Sequence, residues 1–205
     1  MGGGDNVLRT INFQNMTNDN KQQKLSDSTD AAIAYSTCYA QPLFNRIWAM
    51  PNKLTFTIKP IKELLHRYLN GVVIDPFANE SKLGTITNDL NPAMNTDYHL
   101  DALAFLKLME SNSADVVLYD PPYSITQAAQ CYNEFGKDKL EQSVANMGYW
   151  ANCKNEVARI LKPNGICIIC GWSSNGIGLN RGFEMVEILL VPHGGSKNDT
   201  IVTVE

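Results

Sequence analysis

The sequence predicts an α/β domain built on a mostly parallel sheet, and three observations carry that expectation. Short apolar runs alternate with segments of helical periodicity from Lys59 onward, the pattern of strands crossing over through helices. Three of those runs end in an aspartate. The last two runs are joined by a link with no room for a helix, so they must pair as an antiparallel hairpin at the C-terminus.

In chain order, Met1-Gly-Gly-Gly4 and the Asn-, Gln-, Asp- and Ser-rich stretch to about Thr29 hold few large apolar residues. They predict a flexible polar arm over residues 1–30, with one domain over 31–205. The segment Ala31 to Trp48, with Tyr35, Tyr39, Leu43, Phe44, Ile47 and Trp48, is expected to dock on that domain. Ile61, Leu64, Leu65, Tyr68 and Leu69 recur at helical spacing, with Pro60 in the first turn and Asn70-Gly71 at the end. Val72 to Ile74, ending in Asp75, predicts a buried strand, and Thr85 to Thr87, ending in Asn88-Asp89, a second. Leu100 to Met109 predicts a helix, and Asp115 to Tyr119 a strand running into Asp120. Leu140 to Leu161 carries one long helix or two, stopped by Pro163-Asn164-Gly165, and Ile166 to Cys170 follows as a strand. Met185 to Val191 and Thr200 to Val204 form the closing hairpin.

Composition narrows the function. Seventeen basic against twenty-one acidic side chains give a net charge of −4, which excludes a uniformly basic nucleic-acid binder but not a local basic groove. No apolar run approaches a membrane span, and no secretion signal opens the chain, so a soluble, intracellular protein is expected. Cys167 and Cys170 lie three apart in one strand and should face opposite ways, and His66, His99 and His193 are isolated; no metal site is expected. The basic residues Lys53, Lys59, Lys62 and Arg67 predict a solvated helix face rather than a phosphate groove.

The chemistry concentrates at the strand ends. In an open α/β sheet the ligand crevice lies beyond the carboxyl ends of the strands, so Asp75, Asp89 and Asp120 are expected along one edge. Asp120-Pro121-Pro122-Tyr123 is the most specific element. Two prolines cannot continue a central strand, so the chain must turn rigidly and fix its carbonyls and the Tyr123 ring. Asp89 at a strand end can accept two hydrogen bonds from a vicinal diol. The turn after Asp75 can present backbone N–H groups to a carboxylate.

These residues resemble the S-adenosylmethionine-dependent amino-methyltransferases acting on DNA, of the adenine-N6 type, and in particular their small phage- or prophage-like members. Asp120-Pro121-Pro122-Tyr123 is similar to the family's catalytic motif, and Val73-Ile-Asp-Pro-Phe77 to its cofactor motif. Ile58-Lys59-Pro60 with the helix that follows looks like the Lys-Pro helix that encloses the methionine end of the cofactor. Asp89, with Leu90 beside it, falls where the ribose is bound, and Asp101-Ala102 falls near the cofactor's adenine. Glu156 to Gly165 looks like the helix and turn leading into the fifth strand. Where the family continues with glycines after Phe77, this chain has Ala78-Asn79-Glu80-Ser81.

The resemblance implies a Rossmann-like class I methyltransferase fold, with a mostly parallel seven-stranded sheet and a C-terminal antiparallel hairpin strand. It implies S-adenosyl-L-methionine as cofactor, held by Lys59, Pro60, Asp75, Phe77, Ala78, Asn79, Asp89, Leu90, Asp101 and Ala102. It implies a DNA substrate whose target adenine is flipped out to meet Asp120, Pro121, Pro122 and Tyr123, in the cytoplasm of a bacterium or phage-infected host. Similar turns serve RNA bases, so an RNA base N-methyltransferase is the alternative, and an inactive methyltransferase-fold binding protein is the third. Asp75 and Asp120 lie too close in sequence for a separate target-recognition region between them. Short or relaxed specificity, a homo-oligomer or a separate specificity subunit is therefore expected.

Overall fold

The computed structural model describes residues 41–134 and 147–205, and Pro42–Glu205 forms one compact unit. Its strands are β1 (Leu43–Arg46), β2 (Val73–Asp75), β3 (Ile86–Thr87), β4 (Ala114–Tyr119), β5 (Leu161–Gly171), β6 (Glu187–Val191) and β7 (Thr200–Val204). Its helices are α1 (Lys59–Tyr68), α2 (Ala102–Leu108), α3 (Ile125–Glu134) and α4 (Met147–Ile160). The seven strands form one sheet in the order β1-β6-β7-β5-β4-β2-β3. Only β7 runs antiparallel, inserted between β5 and β6, as expected of the Rossmann-like arrangement. Among the described residues no helix is long and apolar enough to cross a membrane.

The alternation of side chains along the central strands divides the core in two. Val117 and Tyr119 of β4, with Cys167 and Ile169 of β5, pack beneath Phe105 and Leu106 of α2 and Val157 and Ile160 of α4. Val116, Leu118, Ile168 and Cys170 point to the other face, under Ile61, Leu64 and Leu65 of α1. Cys167 and Cys170 thus sit on opposite faces, as a period of two requires. A sheet so covered needs apolar residues at every central position, which is why β4 shows no polar alternation.

Three features depart from the sequence expectation. Leu43–Arg46 forms a strand that pairs in parallel with the edge of β6. The helix α4 stops at Ile160, and β5 begins at once, before Pro163-Asn164-Gly165 rather than after it. Ala114 pairs with Leu161 while Val116 pairs with Ile166, so the Pro-Asn-Gly segment is a bulge inside the strand and not a helix stop. Asn164 adopts φ 63° there, a left-handed conformation that Asn tolerates better than most residues. Lys162 donates to Asp115 at 2.7 Å and ties the bulge to β4. Finally, Ile125–Glu134 is a helix that the sequence reading did not single out. The expected N-terminal arm, the docking of residues before 41, and the start of the helix expected from Leu140 lie outside the described residues.

The topology itself places the site. From β2 the chain moves outward to β3, then returns to the other side of β2 with β4 and continues to β5. The order reverses between β2 and β4, and ligands of open α/β sheets bind outside the carboxyl ends of strands at such a switch point. Asp75 ends β2 and Asp120 follows β4.

Candidate active site

A cavity of about 1050 Å³ lies over this edge, lined by Phe77, Ala78, Asn79, Asp89, Leu90, Asp101, Ala102, Asp120, Pro121, Pro122 and Tyr123 among others. Eleven of the fourteen residues expected at a cofactor or catalytic site therefore line one space. Its volume stands at the upper end of the roughly 300–1,000 Å³ of small-molecule sites.

Asp75, Lys59 and Pro60 are not part of that lining. Asp75 is fully buried beneath the loop it begins. Its Oδ1 accepts the Phe77 N–H at 3.1 Å, while Oδ2 has no hydrogen-bond partner. Burial, reinforced by the charges of Asp120 and Asp89 and opposed by the Phe77 N–H, pushes its carboxyl up to about 8. Pro60 is buried in the first turn of α1, where its fixed φ suits the helix start. Lys59 points to solvent and approaches Glu63 at 4.0 Å, one turn on.

The loop after Asp75 is held from within. The Ala78 N–H donates to the Asn88 carbonyl at 2.9 Å, and the Asn79 N–H to Asp89 Oδ2 at 2.9 Å. Asp89 Oδ1 accepts the Asn91 N–H at 2.8 Å. With the Phe77 N–H on Asp75, three successive loop donors are engaged by the protein itself. These three do not offer the cavity the N–H cradle that the sequence suggested. Asn79 makes the turn at φ 49°, doing the conformational work usually given to glycine. Asp89 clasps this turn from the next strand and also faces the cavity.

Asp101 caps α2, accepting the N–H groups of Leu103 and Ala104 at 3.1 and 3.3 Å. Its other oxygen accepts the Tyr149 hydroxyl from α4 at 2.7 Å. The Tyr149 ring meets Trp150 edge-on at 5.0 Å, and Trp150 lies 6.5 Å from Phe77. Phe77 packs edge-on against Tyr119 at 5.3 Å. The result is an aromatic wall made by three elements, with Phe77 and Trp150 both exposed to the cavity.

At the end of β4 the two prolines turn the chain and bring Tyr123 back over Asp120. The Tyr123 hydroxyl donates to Asp120 Oδ1 at 2.6 Å, and the Tyr123 N–H donates to Gln127 Oε1 at 2.7 Å. The Thr55 hydroxyl lies beside both the Asp120 carboxyl and the Tyr123 hydroxyl, and its polarity favours the ionised form of Asp120. Removal from water raises the Asp120 carboxyl above its ordinary range, while the Tyr123 and Thr55 hydroxyls pull it back. Burial and the Asp120 charge keep the Tyr123 phenol firmly protonated, so it remains a donor. The Tyr123 ring meets Trp172 at 5.8 Å and 71°.

Thr55, Trp150 and Trp172 are the site residues that sequence reasoning missed as site residues or left open. Thr55 belongs to a short 3-10 turn, Thr55–Thr57, ahead of α1. Its packing residue Phe56 is buried under the sheet, which delivers Thr55 to β4 from far away in sequence. The one available signal was an aromatic flanked by hydroxyls just before Lys59-Pro60.

No family model matches the sequence, and no curated protein matches it. Several solved structures are similar. The 1,6-didemethyltoxoflavin-N1-methyltransferase of Burkholderia thailandensis, bound to 1,6-didemethyltoxoflavin and S-adenosylhomocysteine, is 14% identical at a TM-score of 0.48, covering 71% of this chain and 76% of that one. TrmN of Thermus thermophilus is 15% identical at 0.46, covering 72% of this chain and 48% of that one. SMU.776 complexed with S-adenosylhomocysteine is 13% identical at 0.43, covering 70% and 48%. The chain thus spans about half the length of the last two, and these are likenesses in chain path alone.

Proposed function

We propose that this protein transfers a methyl group from S-adenosylmethionine to the exocyclic N6 amino group of adenine in DNA. The observation that carries this is the Asp120 turn. A desolvated carboxylate stands on the cavity wall at the switch point, beside the Pro121 carbonyl and an aromatic ring. An exocyclic amino nitrogen is a poor nucleophile because its lone pair is delocalised into the ring. A carboxylate and a carbonyl that accept its two N–H hydrogens favour a pyramidal nitrogen and stabilise the positive charge that develops on it. Tyr123 offers a face on which a flipped base can stack, an interaction worth about 1–3 kcal/mol against the few kcal/mol of unpairing.

The cavity suits the cofactor in part. Glu80, Asp89 and Asp101 line it together with Phe77 and Trp150, which fits a ligand bearing a sulfonium, an ammonium and a ribose diol. Asp75 Oδ2, buried and unpartnered beneath the same loop, does not line the cavity and offers the ligand no direct contact. The engaged N–H groups of Phe77, Ala78 and Asn79 send the cofactor's carboxylate to other donors. When bound, S-adenosylmethionine supplies an activated methyl group. The protein's part is to align the accepting nitrogen with it and to exclude water.

The test is methyl incorporation from radiolabelled cofactor into DNA and RNA offered in competition, followed by nucleoside analysis. N6-methyldeoxyadenosine is the expected product. Incorporation into RNA alone, or none into either, overturns the proposal.

A further inference from the structure

The part of the cavity lining contributed by α1, by the segment between β1 and α1, and by the β6–β7 loop, which we term the second lobe, carries lysines and no carboxylate. On α1, Lys62 and His66 continue the line begun by Ile58 at four-residue spacing, and all three line the cavity. The apolar stripe Ile61, Leu64 and Leu65 faces the sheet, so docking that stripe turns Lys62 and His66 toward the cavity. Lys53, after β1, and Lys197, between β6 and β7, line it too. Their two segments run side by side: the Ala49 N–H donates to the Pro192 carbonyl at 3.2 Å. His193, also in the lining, is clamped between Ala49 O and Thr200 Oγ1 at 2.8 Å each and holds the β6–β7 loop there.

The neighbouring cations are accounted for. Arg67 turns away to the buried Glu187 at 2.7 Å, and Lys59 to Glu63. Among the described residues, no carboxylate lies within ion-pair distance of Lys53, Lys62 or Lys197. The acidic lining residues Glu80, Asp89, Asp101 and Asp120 all belong to the loops after β2, β3 and β4. Lys82, in the loop after β2, lies among those acids and donates to the Asn95 carbonyl. Three ammonium groups with no ion-pair partner among the described residues, all contributed to the second lobe in a chain of net charge −4, mark a site for anions.

We infer that this lobe anchors phosphate groups of a polynucleotide strand whose base reaches Asp120, with Lys53, Lys62 and Lys197 as the phosphate contacts. The inference rests on the proposed function and sharpens it, since a free nucleoside carries no charge for this lobe to hold. It also reassigns Lys53 and Lys62, which the sequence alone placed on a solvated face.

The test is fluorescence anisotropy with a labelled single-stranded oligodeoxynucleotide across about 50–200 mM salt, where each phosphate neutralised on a single strand contributes roughly 0.7 to the slope of log affinity against log salt. The triple variant K53Q/K62Q/K197Q is expected to flatten that slope by about 2 and to weaken binding most at low salt. The triple Lys→Arg variant should restore the slope, and K107Q, on the exposed side of α2, should leave it unchanged. Wild-type protein that does not bind the oligonucleotide, or a triple Gln variant that folds and keeps the wild-type slope, overturns the inference. Methyl incorporation into DNA is measured on the same preparations. An unchanged slope with incorporation intact refutes the lobe alone; a three-lysine slope with no incorporation refutes the reaction alone.

Discussion

Replacing Asp75 by Asn should make the protein more stable at alkaline pH than the wild type. Asp75 is 0% exposed, takes one N–H bond from Phe77 at 3.1 Å and leaves Oδ2 without a partner. Its carboxyl titrates near 8 in the folded chain, against about 3.9 in an unfolded one. Between those values the unfolded state has lost a proton that the folded state keeps. Stability therefore falls by about 1.4 kcal/mol for each pH unit, is fully present below the unfolded pKa and levels off above 8. Across the window the loss is on the order of 5 kcal/mol, comparable to the whole stability of many domains. Urea denaturation from pH 4.5 to 9 should show the Asn variant gaining on the wild type over that range. Asp120 and Glu205, also raised by burial, and Asp97, Asp115 and Glu187, lowered by their partners, are common to both chains and largely cancel in the difference. A difference that stays flat with pH would mean that Asp75 is ionised in the folded protein, and the reasoning would fail.

Three further outcomes follow from the site. Asp120→Ala should lower methyl transfer by about 10²–10³, the effect of removing one well-placed polar stabiliser, while equilibrium cofactor binding by calorimetry stays near wild type. Tyr123→Phe and Thr55→Val should each move the acid limb of the pH–rate profile to higher pH: both hydroxyls lower the Asp120 carboxyl, and the ionised carboxylate is the working form. A limb that stays in place would remove Asp120 from the rate-determining titration. Asp89→Ala should weaken cofactor affinity by roughly 1.5–3 kcal/mol, because it removes both the clasp on Asn79 and a cavity-facing acceptor; unchanged affinity in a folded variant would place the ribose elsewhere.

The catalytic turn was legible in the sequence because its cause is local. Two prolines after an apolar run dictate a turn wherever they occur, and an aspartate ending a buried strand must lie at a sheet edge. The sidedness of α1 was equally contained in the sequence but needed one more step. Once Ile61, Leu64 and Leu65 are assigned to the core, helical geometry sends Lys62 and His66 toward one flank and Lys59 and Glu63 to another. What no local pattern could show is long-range. Leu43–Arg46 becomes a strand because β6 offers an open edge, and Thr55 reaches Asp120 only because Phe56 is buried on the α1 face of the sheet, beside Val116 and Leu118. The loop after Asp75 was misleading for the same reason. Its N–H groups look free in sequence, but those of Ala78 and Asn79 find their acceptors in Asn88 and Asp89, a strand away, while that of Phe77 turns back on Asp75.

The bond between Tyr123 and Asp120 bears on whether the turn is blocked or preorganised for the proposed reaction. An ionised carboxylate offers about four lone-pair directions. The Tyr123 hydroxyl occupies one, at 2.6 Å, with the Thr55 hydroxyl close by, leaving at least two acceptor directions for the amino group, with the Pro121 carbonyl as an alternative for one of them. The two hydroxyls thus fix the carboxylate's orientation without exhausting it. They also oppose the upward push of burial on its carboxyl, which favours the ionised form, and a protonated Asp120 would present a donor where the reaction needs an acceptor. Both hydroxyls come with rigid supports. Tyr123 is held by the prolines and by its N–H bond to Gln127, and Thr55 by a short turn packed on the sheet. A side chain whose orientation and charge are set in advance needs no reorganisation as positive charge develops on the nitrogen, and that is the condition under which an electrostatic stabiliser in a water-poor site acts most strongly.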